Sequence, residues 1–115
     1  MNPLELSTTQ KKIARQTINT GLEREFIKGI GKIDKIIQQW KDGKRDVKET
    51  YYKVYSTIEK FDKHIGKLYN NISGSDYLWV LAAQLNHGII SPADLSELDQ
   101  ETLDKIILMS RIDEE

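Results

Sequence analysis

Few side chains in this sequence have the type and spacing that catalysis or metal binding requires. A metal site on a helix needs a second ligand three or four positions from a histidine, and around His64 those positions hold only lysines, Phe61 and Leu68. His87 directly precedes Gly88, where a helix is expected to end, and there it suits an interaction with the helix dipole. Because neither histidine has a well-spaced carboxylate, we expect no enzyme, no bound metal and no cofactor.

Basic side chains recur at helical spacing, and they are the strongest sign of recognition chemistry in the chain. One stripe steps by four, four and three positions and a second by seven, so each stripe follows one face of a helix. Such stripes bind a phosphate backbone by displacing its counterions. They are also typical of a hydrated helix face with interspersed acids such as Asp34 and Glu59. The candidate basic residues are Arg24, Lys28, Lys32, Lys35, Lys53, Lys60 and Lys67.

The charge is divided along the chain. Residues 1–70 hold 15 Lys or Arg against 9 Asp or Glu, whereas residues 71–115 hold 2 against 9. Two interpretations of the acidic part fit this division. Its carboxylates pair with the basic face, in the same chain or in a second copy, or they compensate the dipoles at helix starts.

The composition is typical of one soluble globular domain. Its 115 residues are 38% hydrophobic and 30% charged, which is enough for a single core without disulfides. The absence of cysteine excludes thiolate chemistry and fits a reducing compartment. No secretory pattern and no apolar run of about 18–20 residues are visible, so we expect a cytoplasmic protein that does not bind a membrane.

A long first helix is predicted to begin after Ser7 and to end near Gly43. Ser7 and Gln10 fit a capping box. The glycines inside the segment lower its helix propensity, so a continuous helix and a break at Gly21 remain alternatives. The apolar positions step by three or four residues: Ile18, Leu22, Phe26, Ile30, Ile33, Ile37 and Trp40.

The second helix has the clearest pattern. Asp46 is predicted to cap it, with Glu49 in the first turn. Its apolar positions alternate in steps of four and three from Val47 to Ile72, a heptad pattern that favours packing against another helix. We therefore predict an antiparallel helical hairpin over residues 8–41 and 46–71. The candidate apolar interface comprises Trp40, Tyr51, Val54, Ile58 and Phe61.

The rest of the chain is predicted to be helical too. Residues 77–85 are apolar nearly all round, which indicates a buried third helix. Ser91 and Pro92 begin a short fourth helix and Asp99 caps a last one. The expected fold is all-α: a helical bundle in which the hairpin packs with the third helix and two short C-terminal helices. We expect residues 1–115 to form a single domain with a loose tail at 1–6 and a frayed end at 112–115.

These features predict a non-catalytic module for protein–protein interaction or assembly. Apolar heptad positions left over after folding would bind a protein partner or a second copy, which would form a homodimer, and the divided charge would set the orientation. The alternative is a nucleic-acid-associated protein that uses the basic residues of the hairpin. No membrane or small-molecule partner is inferred.

Overall fold

The computed structural model describes residues 5–112, and every regular element in that range is helical. The prediction of an all-α fold with a long first helix is therefore confirmed. Of the ends predicted to be loose, residues 1–4 and 113–115 lie outside the described range. The elements are α1 (Thr8–Lys41), α2 (Val47–Tyr69), a 3₁₀ turn (Gly74–Asp76), α3 (Tyr77–Asn86), a second 3₁₀ turn (Pro92–Leu95) and α4 (Gln100–Ile112).

The predicted caps are present at most helix starts. The amide of Gln10 donates to Ser7 Oγ at 3.2 Å, and the amide of Glu49 donates to Asp46 Oδ1 at 2.7 Å. Side-chain caps of this kind satisfy amides that have no partner within the helix. The return bond expected from the Gln10 side chain is replaced, because Gln10 Oε1 accepts from the amide of Asp99 at 3.0 Å.

The helix α1 is continuous through Gly21, so of the two alternatives left by the sequence the structure shows the unbroken helix. Gly21 is buried, and a Cβ built there would lie 2.2 Å from Nε2 of Gln84. The glycine therefore serves close packing against α3 instead of ending the helix.

The described chain forms two compact units. The first combines residues 5–24 with residues 71–112, and the second is residues 25–70. The helix α1 contributes its beginning to the first unit and the remainder to the second. The second unit holds the predicted hairpin only from residue 25 onward, and the first unit holds the start of its first helix together with the predicted third helix.

The first unit has a well-filled apolar core around α3. Leu78 and Leu81 of α3, Leu95 of the second 3₁₀ turn and Ile106 of α4 are fully buried. Gln84 is also fully buried, and its Nε2 donates to the carbonyl oxygen of Ile18 at 3.0 Å. Since a buried amide must be hydrogen-bonded, this bond fixes where α3 lies along α1.

Candidate interaction surfaces

The second unit is an antiparallel pair of helices with little core of its own. A Cβ on Gly29 of α1 would lie 3.0 Å from the ring of Phe61 of α2, which marks the facing sides of the two helices. Ile36 is the one large hydrophobic residue of this unit, residues 25–70, that is buried. Most apolar side chains of the hairpin therefore remain in contact with water.

A buried carboxylate lies at the end of the hairpin opposite the loop that joins α1 to α2, which we call the open end. Glu25 of α1 is 5% exposed. Its Oε1 lies 2.6 Å from Nε2 of His64, and its Oε2 accepts from the hydroxyl of Tyr69. Because a buried carboxylate is stable only when it is paired, this cluster links the two helices at a defined level.

This cluster was not predicted from the sequence, since Glu25 and His64 are 39 positions apart. A usable signal was nevertheless present. Gly21, Glu25 and Gly29 recur every four residues, which identifies them as one line along α1. The line packs against other helices because glycine lets a neighbouring side chain approach the backbone closely.

In each helix of the hairpin, exposed apolar residues come one position after residues that face the other helix. Phe26 and Ile30 follow the buried Glu25 and Gly29, and in α2 Tyr51 follows the buried Thr50. One position is a rotation of about 100° around a helix. Because α1 and α2 run antiparallel, the same sense of rotation leads to the same side of the hairpin.

This side is named the apolar face. Its exposed members range from Trp40, 42% exposed, to Tyr51, 67% exposed. Val54 and Phe61 of the predicted interface are partly buried at its inner edge, where the Phe61 ring meets that of Phe26 edge to face at 5.4 Å. The apolar face comprises Phe26, Ile30, Trp40, Val47, Tyr51, Tyr55 and Ile58.

Lysines of the hairpin lie on the opposite side. Lys28 and Lys35 precede the buried Gly29 and Ile36, and Lys60 precedes Phe61, which is a rotation of about 100° in the other sense. Six lysines lie on this side of the hairpin. All six are exposed, and none of them forms an ion pair within residues 5–112. This basic face comprises Lys28, Lys32, Lys35, Lys53, Lys60 and Lys67.

Arg24, the seventh predicted basic residue, belongs to the first unit and is bound within it. Its guanidinium forms two hydrogen bonds with the Asp94 carboxylate, at 2.9 and 3.0 Å, and a third with the carbonyl oxygen of Ile89. The side-chain bonds from Arg24 and the amide of Ser91 hold the pKa of Asp94 well below its usual range. We therefore leave Arg24 out of the basic face.

The acids of the C-terminal part act mainly at helix and turn starts. Asp76 accepts from the amide of Ser73. Asp99 accepts from the side chain and the amide of Thr102, and these bonds lower the pKa of both carboxyls. Both sequence interpretations hold in part, since Asp94 caps a turn and also pairs with Arg24.

The described residues contain no cluster of three or more His, Asp or Glu side chains that could hold a metal ion. No helix among them is both long enough and apolar enough to cross a bilayer. The exposed apolar residues and the exposed lysines give the hairpin one apolar face and one basic face. No protein-family model, curated protein or solved structure matches the chain.

Proposed function

We propose that the protein is a non-catalytic helical assembly module whose apolar face binds a second copy of the same chain. The observation that supports this most is the exposure of the heptad positions of α2, Tyr51 at 67% and Ile58 at 43%. Contiguous apolar surface of this kind is typical of protein–protein interaction sites. Heptad spacing is the pattern by which one pair of helices packs against another pair.

A test is the mass of the protein in solution at low and high salt. We expect twice the chain mass of 13.3 kDa at both salt concentrations, because burial of apolar surface does not weaken with ionic strength. Ile58→Asp should dissociate the dimer. Lys60→Asp, on the same helix but on the basic face, is the matched control and should leave it intact. A monomeric wild-type protein at both salts would contradict the proposal.

A second candidate function is the binding of nucleic acid by the basic face. Its support is that six lysines without ion pairs share one side of the hairpin, where they can contact successive phosphates. The triple reversal Lys28→Glu, Lys32→Glu and Lys35→Glu should abolish binding of a labelled DNA duplex, measured by fluorescence anisotropy. Reversal to Glu of Lys12, Lys44 and Arg111, which are exposed and are not part of the basic face, changes the net charge equally and should leave most of the binding.

We place this assembly in the cytoplasm. A chain without cysteine has no disulfides to lose there, and assembly through apolar side chains needs no oxidising compartment. Neither proposed function requires a cofactor or a small molecule.

A further inference from the structure

We infer that the two copies pack through their apolar faces in an antiparallel orientation, so that Lys48 of each copy meets Asp62 of the other. This inference rests on the proposed assembly and adds its geometry. In this arrangement each α2 lies over the α2 of the second copy and runs in the opposite direction. The connecting loop of one hairpin then covers the open end of the other.

The charges at the rim of the apolar face favour this orientation. Lys41 and Lys48 lie near the loop that joins α1 to α2, whereas Glu59 and Asp62 lie towards the open end. Asp62 follows Phe61 and therefore points towards the apolar side of α2. An antiparallel pair superposes the positive end of one rim on the negative end of the other, and it does so twice by symmetry.

The parallel orientation brings like charges together. In the hairpin, residues whose numbers sum to about 90 lie at one level, as Gly29 and Phe61 do. Lys41 is therefore level with Lys48, and a parallel pair would place α1 over α2 with these lysines facing each other in both halves. In the antiparallel pair, the only like charges of the rim that approach each other are the two copies of Asp34, because Asp34 lies at the level of the centre of the dimer. Rim charges of this kind select orientation more than they add affinity.

Charge exchange tests the orientation. Lys48→Glu and Asp62→Lys should each weaken the dimer by about tenfold, and the double variant should restore it. Lys48 and Asp62 are 14 residues apart on one helix, a distance of about 21 Å at 1.5 Å per residue. The two side chains of one chain cannot meet over that distance, so restoration has to arise between copies.

Cross-linking gives an independent measurement, since the natural chain contains no cysteine. Tyr55 lies midway between Lys48 and Asp62, and on the apolar side, so Tyr55→Cys should form a disulfide-linked dimer under mild oxidation. The control Lys53→Cys lies on the basic face and should remain monomeric on a denaturing gel. A mixture of Lys48→Cys and Asp62→Cys should link, whereas each variant alone should not.

The outcomes separate this inference from the function on which it rests. Restoration by the double variant, together with the Tyr55→Cys link, supports the antiparallel dimer. A wild-type dimer that shows neither result overturns the orientation and leaves the assembly standing. A wild-type monomer overturns the assembly and the orientation together.

Discussion

Replacement of Gly21 by alanine should destabilise the protein, although alanine is the better helix former. In an open helix interior this substitution stabilises by about 1 kcal/mol. At Gly21 the new Cβ would lie 2.2 Å from Nε2 and 2.7 Å from Cδ of Gln84. The side chain of Gln84 is fully buried, so its amide has to leave the carbonyl oxygen of Ile18 to make room.

The magnitude follows from these opposing contributions. A buried amide that loses its hydrogen-bond partner costs about 1–3 kcal/mol, and forced overpacking of a core costs about 1–3 kcal/mol. After subtraction of the gain in helix propensity, Gly21→Ala should lower the free energy of unfolding by about 1–5 kcal/mol. Urea denaturation followed by far-ultraviolet circular dichroism measures this difference.

Gly31 provides the matched control within the same helix. A Cβ there meets nothing within 4 Å, so Gly31→Ala should stabilise by about 1 kcal/mol. In a Gln84→Ala background the obstacle is removed, and Gly21→Ala should no longer destabilise. Equal stabilisation of the wild-type protein by Gly21→Ala and Gly31→Ala would contradict close packing between Gly21 and Gln84.

Three further substitutions test single contacts, each by denaturant unfolding. Asp46→Ala removes the cap of α2 and should destabilise by about 1 kcal/mol, whereas the exposed control Asp34→Ala should have almost no effect; equal losses would contradict the capping role. Glu25→Gln should cost about 1–3 kcal/mol because the buried carboxylate loses charge-assisted bonds, and exposed Glu59→Gln is its control. The pKa of Asp94 is lower in the folded protein than in the unfolded chain, where it is about 3.9. The Asp94 carboxylate therefore stabilises the fold at pH values above the unfolded pKa, and this stabilisation is lost as the pH falls through the lower folded pKa. Asp94→Asn should therefore be less stable at neutral pH and should flatten the acid limb of the stability curve; an unchanged acid limb would contradict this.

Local signals in the sequence were sufficient to predict the ends of the helices. Asp46 caps α2 as expected. Ser91 with Asp94 also forms the expected cap, although the element that follows is a 3₁₀ turn and not a short α-helix; both caps were predictable because a cap depends on residues within one helical turn. Five or so neighbouring residues determine such a bond. The elements predicted in this way agree with the structure to within about two residues at most ends.

Periodicity predicted which residues share a face but not which face packs. On α1 the large apolar residues lie along one line and the residues Gly21, Glu25 and Gly29 along another, rotated by about 100°. The structure buries the second line, since the glycines let Gln84 and Phe61 approach the helix backbone. That choice depends on side chains more than 30 positions away, which no local pattern contains.

The divided charge has a consequence for assembly. Acids of the C-terminal part such as Asp94 and Asp99 are engaged at turn and helix starts, and none of the six lysines of the basic face forms an ion pair within the described residues. Two copies that approached through their basic faces would bring like charges together, which disfavours that contact. The apolar face carries no such row of like charges. In the proposed antiparallel pair, Lys48 at its rim would meet Asp62 of the second copy. In the proposed dimer the basic face would therefore disfavour self-association through its own side of the hairpin, and it would stay exposed to solvent.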